Sequence, residues 1–188
     1  MGIRSMLRAQ RPAAARLLGT ITSVAFLAAC QDADGTASSD RAVFSPTAPQ
    51  STASSGSTSV LNGRATFAES FKVKRKTGDW EIDINAKDPV DVAVQTITFA
   101  PGAQSGWHSH PGPVFIQVVS GTMTFYESDD PACRGTVLTK GQGYLDTGEH
   151  AHIARNESGV AATNVVTYFA PKGAPLRIDA PAPGTCPF

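Results

Sequence analysis

The sequence predicts an all-β domain, a closed barrel or jelly roll, on three observations. From about Leu61 onward, short β-branched and apolar runs alternate with clusters of turn residues. No segment beyond that point repeats its apolar residues with a helical period. About ten such runs in roughly 120 residues are more than one open sheet accommodates comfortably, and closure removes the exposed edges.

Each element follows from its own residues. Phe71 to Arg75 and Trp80-Glu81-Ile82-Asp83-Ile84 alternate, the signature of strands with one polar face. The basic run Lys72 to Lys76 is interrupted by Val73 and reads as the solvated face of the first of these. Val90 to Phe99 is rich in β-branched residues and is expected to stop at Pro101-Gly102. Val114 to Val119 is an apolar run broken only by Gln117, and Thr122 to Glu127 follows at once, so Ser120-Gly121 reads as a hairpin turn. Val137 to Thr139 and Tyr144 to Asp146 are brief strands around Lys140-Gly141-Gln142-Gly143. His150 to Arg155 and Val160 to Phe169 read as another pair, joined through Asn156 to Gly159. The Pro- and Gly-rich tail from Pro171 is expected to wrap the outside.

The N-terminal third has a different character. Arg4, Arg8, Arg11 and Arg16 precede an apolar, small-residue run from Leu17 to Ala29, the pattern of an export signal. That run is too short to span a bilayer, which takes about 20 residues. Leu27-Ala28-Ala29-Cys30 resembles the bacterial lipobox, in which the cysteine is lipidated and becomes the first residue of the mature protein. The expected organisation is a signal peptide over 1–29, a flexible tether over 30–60 and the barrel with its tail over 61–188. The tether is Ser/Thr/Ala/Pro-rich and cannot bury enough apolar surface to offset ordering its backbone. The expected location is outside the cytoplasm, lipid-anchored to a membrane and facing the periplasm or the cell exterior.

Removal of residues 1–29 takes away four arginines and no acid, leaving a formal charge of −4. A mildly acidic chain without basic runs is a poor nucleic-acid binder, and no such partner is expected. Cys133 and Cys186 remain once Cys30 is lipidated, an even pair in an oxidising compartment, and a disulfide between them is expected. Such a link would stabilise the fold by about 4 kcal/mol through loop closure.

All four histidines fall in two close pairs, His108-Ser109-His110 and His150-Ala151-His152. Residues i and i+2 of a strand share a face, so each pair can converge on one point. Imidazole is the commonest side-chain ligand for zinc, copper, iron and nickel. Two pairs that use every histidine of the chain point to one buried divalent transition metal, although surface histidines are the bland alternative.

The spacing around the pairs resembles that of the cupins. Gly102, five residues, His108-Ser109-His110 and a later Gly121 are similar to the first cupin motif. Gly141, ten residues, His152, three residues and Asn156 are similar to the second. The resemblance covers about Val90 to Ala170 and implies a double-stranded β-helix, a small jelly-roll barrel. It further implies a central metal on His108, His110 and His152, and a homodimer paired through edge strands. One departure matters: Val114 stands where many cupins carry a ligating Glu, and Val cannot ligate. The second motif also departs, with Thr147 in place of a usual Pro and Glu149 in place of a usual Gly.

Three outcomes stay open on these residues. A neutral three-histidine site persists, His150 or Glu149 supplies a fourth ligand, or the metal is lost and the pocket kept. Strand parity favours His150 over Glu149. Candidate pocket residues are Gln95, Val114, Gln117, Glu149 and Asn156, with Phe99, Phe115, Tyr144 and Tyr168 as aromatic lining. Trp107 should face away from His108 and pack in the barrel. Two functions fit: a metal-dependent oxygenase or isomerase of a small molecule, and a module that binds a small molecule or metal without turnover. The metal expected is Zn, Cu, Fe or Ni, because a site without the carboxylate disfavours harder ions.

Overall fold

The computed structural model describes residues 52–188. The signal peptide, Cys30 and most of the tether lie outside the described residues. Among those described are twelve strands and no helix: β1 (Ser55–Phe67), β2 (Phe71–Thr77), β3 (Trp80–Ala86), β4 (Val90–Gln104), β5 (His108–Ser109), β6 (Val114–Ser120), β7 (Thr122–Glu127), β8 (Thr136–Thr139), β9 (Gly143–Asp146), β10 (His152–Arg155), β11 (Ala162–Pro171) and β12 (Ile178–Asp179). Ten of them form one antiparallel sheet, folded into a nearly closed double-stranded β-helix. One half runs β1-β4-β11-β6-β9 and the other β12-β5-β10-β7-β8, with β10 also touching the end of β4.

The period-two alternation decides which side chains enter. β6 buries Val114, Ile116 and Val118 and exposes Phe115, Gln117 and Val119. β11 buries Ala162, Asn164, Val166, Tyr168 and Ala170. With Phe99, Met123 and Phe125 these make the main core, each large side chain contributing about 1.5–3 kcal/mol by burial. A second cluster, Trp107, Ile153 and Cys186 with Tyr126, Cys133 and Ala180, covers the opposite face of β5 and β10. Trp107 is fully buried there, the packing role expected of it.

Four local expectations give way to longer-range pairing. β4 does not stop at Pro101-Gly102 but runs to Gln104. Pro101 has no N–H for the ladder and Gly102 takes a φ of 76°, so the strand bulges and resumes, its Gly102 N–H donating to the Asn156 carbonyl at 2.9 Å. Ser120-Gly121 is not a hairpin turn, because β6 pairs with β11 and β9 while β7 pairs with β10 and β8. There the chain crosses from one half of the sheet to the other. Gly121 permits it with a φ of 72°, and a Cβ at this position would meet the Ala161 oxygen and Ala162 at 2.7 Å. β10 and β11 likewise do not pair with each other, and residues 156–161 are a second crossover. Finally, β1 starts at Ser55, before the boundary at Leu61, since backbone pairing with β4 needs no apolar side chains.

The basic run lies on the exposed β2–β3 hairpin, where Lys72 faces Asp83 at 3.6 Å and Lys74 faces Glu81 at 2.8 Å. Neighbouring acids offset it, and no basic patch results. On β4, Asp91 accepts from Thr66 at 2.6 Å, Arg64 at 2.8 Å and the Gly173 N–H at 2.9 Å, joining β1, β4 and the tail. The tail does more than wrap: β12 pairs with β5, and Ala180 N–H donates to the Trp107 carbonyl at 3.0 Å. A disulfide joins Cys133 to Cys186 with 5.3 Å between their Cα atoms.

Candidate metal centre

His108 and His152 are direct register partners on adjacent strands β5 and β10. His110 lies two residues beyond His108, on the same side of the chain. Their ring centroids are 4.5 Å (His108–His152), 4.8 Å (His108–His110) and 5.2 Å (His110–His152) apart. All three are buried, and one nitrogen from each lies within 4.8 Å of the others.

The rings are held in one useful tautomer. His108 Nδ1–H donates to the Gly106 carbonyl at 2.8 Å, and His110 Nδ1–H donates to the Leu176 carbonyl at 2.5 Å. A carbonyl oxygen can only accept, so Nε2 of each carries the free lone pair that a metal requires. Burial also keeps them neutral: desolvation, with the nearby His152 and Arg177, depresses His108 to about 2. Desolvation brings His110 down to about 4, against the pull of its bond to Leu176.

The donor set fits a transition ion. Nitrogens bound at about 2.0–2.1 Å to one tetrahedral ion lie on the order of 3.4 Å apart, so each ring need move by about 1 Å or less. An orphaned polar pair beside the rings points the same way. Asp146 Oδ2 lies 2.9 Å from His152 Nδ1 and 3.6 Å from His110 Nε2. Neither Oδ2 nor His152 Nδ1 has a hydrogen-bond partner of good geometry. Burial pushes the Asp146 carboxyl up, but His152, the Gly148 N–H and His110 together hold it below its usual range.

Above the rings opens a cavity of about 450 Å3. His108, His110 and Ser105 form its floor, Ile97, Phe99 and Leu61 its apolar wall, and Gln95, Tyr168 and Arg177 its polar groups. Tyr168 donates its hydroxyl to Gln95 Oε1 at 2.8 Å, and burial raises its pKa to about 12. Arg177 Nε bonds Asp179 at 2.5 Å.

Several candidates stand elsewhere. His150 is not beside the other three: its side chain is half exposed, and Nε2 lies 3.4 Å from Asp129. The reason is that β10 begins only at His152, so strand parity does not reach back to His150. Glu149 is exposed in the same turn, its carboxylate near the Thr147 hydroxyl at 3.4 Å, and offers no fourth ligand. Gln117 points to the exposed side of β6, and Val114 is packed in the core rather than lining the cavity. Asn156 is fully buried but structural, its amide donating to the carbonyls of Phe99, Ala100 and Val160. Among the aromatics, Phe99 and Tyr168 line the cavity, Phe115 is exposed, and Tyr144 stacks on Phe125 at 4.4 Å. Asp146, Ser105, the Leu176 carbonyl and Arg177 were not legible as site groups from spacing alone.

Residues 95–168 match the family model described as Cupin domain. No curated protein matches the chain by sequence. Among solved structures the chain is similar to an uncharacterised protein with a double-stranded β-helix domain from Klebsiella pneumoniae, at 19% identity, with 61% of this chain and 87% of that one covered and a TM-score of 0.41. It is similar to the Cupin_2 domain of an XRE family transcriptional regulator from Enterobacter cloacae, at 24% identity, 42% and 80% coverage and a TM-score of 0.35. A third is a polyketide cyclase from Streptomyces resistomycificus, at 18% identity, 51% and 69% coverage and a TM-score of 0.41.

Proposed function

Residues 95–168 form a cupin domain, and from that premise we propose a metal-dependent enzyme, an oxygenase or isomerase of a small polar molecule, tethered outside the cytoplasm by lipid on Cys30. The observation that carries this reading is a cluster of three buried imidazoles, of which His108 and His110 keep Nε2 free and line a 450 Å3 cavity. His108, His110 and His152 would hold the ion. Bound there, a divalent transition metal supplies a Lewis acid or redox centre with open positions for substrate. Ile97, Phe99 and Leu61 give that cavity an apolar side. Tyr168, held protonated, is a hydrogen-bond donor and not a base. Arg177 gives the cavity wall a cationic group suited to an anionic substituent of the substrate.

Metal analysis of the exported protein is the direct test. One zinc, copper, iron or nickel ion per chain is expected, with turnover of a small-molecule panel abolished by His110→Ala. A chain that binds no such ion at micromolar concentration contradicts the proposal. A second reading, a binder without turnover, has one specific observation in its favour: among the described residues, no carboxylate lines the cavity to act as general base. Ligand affinity that is unchanged after metal removal would select it. The lipid anchor is tested separately, since Cys30→Ser should release the protein from the membrane fraction.

A further inference from the structure

We propose that Asp146 supplies, from the neighbouring strand, the carboxylate that the first motif lacks at Val114, acting as a positioning residue for His152 and not as a ligand. This rests on the metal reading above. Val114 on β6 and Asp146 on β9 are register partners, and both are buried. Cross-strand partners have Cβ atoms about 4.5–5.5 Å apart on one face. An acid lost from one of these positions can therefore be replaced from the other with only a small displacement of its charge.

The geometry assigns the role. Asp146 is 3% exposed, and its Oδ1 accepts the Gly148 N–H at 2.7 Å. That bond orients the carboxylate and leaves Oδ2 directed at the histidines, 2.9 Å from His152 Nδ1. His108 and His110 each have Nδ1 fixed by a carbonyl. His152 has no such carbonyl, and Asp146 Oδ2, itself unpartnered, takes that place. At that distance a small rotation of the His152 ring would complete the bond and fix Nδ1–H, leaving Nε2 as the nitrogen with a free lone pair. A carboxylate behind a ligating imidazole raises its basicity. It also brings one negative charge beside a buried divalent ion, where an uncompensated charge is costly. Asp146 stands nearer to Nδ1 of His152, at 2.9 Å, than to the metal-facing Nε2 of His110, at 3.6 Å. This is the place of a group that holds a ligand from behind.

The test uses Co2+ and Zn2+ with the full chain and Asp146→Asn, which keeps the side-chain shape. Affinity, measured by competition with a chromophoric chelator, should fall about 10–100-fold. The Co2+ absorption bands should keep their intensity, because the coordination number is unchanged. Unaltered affinity overturns the proposal, and so does a band change that signals a lost oxygen ligand, which would make Asp146 a ligand. A measurement without any variant stands beside it: imidazole 15N shifts of the metal-free wild-type chain should show His152 as the Nδ1–H tautomer. The Nε2–H tautomer overturns the assignment even if Asp146→Asn misfolds. Failure of the wild-type chain to bind either ion would sink the metal reading, while the tautomer still decides the Asp146–His152 pairing.

Discussion

The segments around His108 and His150 carry the same His-X-His spacing, yet the first delivers both rings to the three-histidine cluster and the second only one. Neither pair lies wholly within a strand: β5 ends at Ser109 and β10 begins at His152. What separates them is anchoring. His110, outside the ladder, is caught by the Leu176 carbonyl from the tail, whereas His150 meets only the exposed Asp129. Convergence of two side chains therefore depends on a third segment that fixes the one beyond the strand end.

The sharpest way to press that difference is to delete ligands. His108→Ala and His152→Ala should each abolish stoichiometric metal in elemental analysis, a loss greater than the roughly 10–100-fold expected when a supporting group is removed. Loosening the tail comes next. Cys133→Ser/Cys186→Ser should cost about 2–5 kcal/mol in denaturant unfolding, and should weaken metal binding by making His110 as free as His150. A double variant with native metal affinity would show that Leu176 holds its ring without help from the bridge.

Acid gives a smaller effect. In the metal-free protein His108 and His110 stay neutral down to about 2 and about 4, against an ordinary 6.5. Below about pH 6.5 the unfolded chain binds more protons than the folded one, so stability should fall as pH drops from 6.5 toward 4, and this contribution should vanish above about pH 7. Thermal melts across that window check it, and His110→Gln should flatten the slope. The smallest effect belongs to His150→Gln, which should leave metal stoichiometry unaltered and stability within about 0.5 kcal/mol.

Much of the barrel was legible because alternation is a local property: Val114, Ile116 and Val118 announce a strand and its buried face. Pairing is not local. Ser120-Gly121 carries every sign of a hairpin, but whether β6 meets β7 depends on where β9, β10 and β11 settle. His108, His110 and His152 could be singled out by type and spacing. His150 could not be separated from them, since the start of β10 is set by pairing with β7 and not by composition. Asp146 was hidden for a related reason, its relation to Val114 being a matter of register. The backbone carbonyl of Leu176 has no side-chain identity to read at all.

The tail's placement has a consequence for the order in which the protein matures. Leu176 and Arg177 form one wall of the cavity, and a few residues further on Cys186 is bonded to Cys133, so the wall is clamped at its far end by a covalent link that only an oxidant can close. Metal supplied before that link forms should meet a two-imidazole cleft with a loose third arm. Metal supplied afterward should meet a finished cup. Refolding with the thiols reduced, then oxidising before or after adding Zn2+, should yield different initial affinities, and identical ones would mean that β12 pairing alone closes the wall.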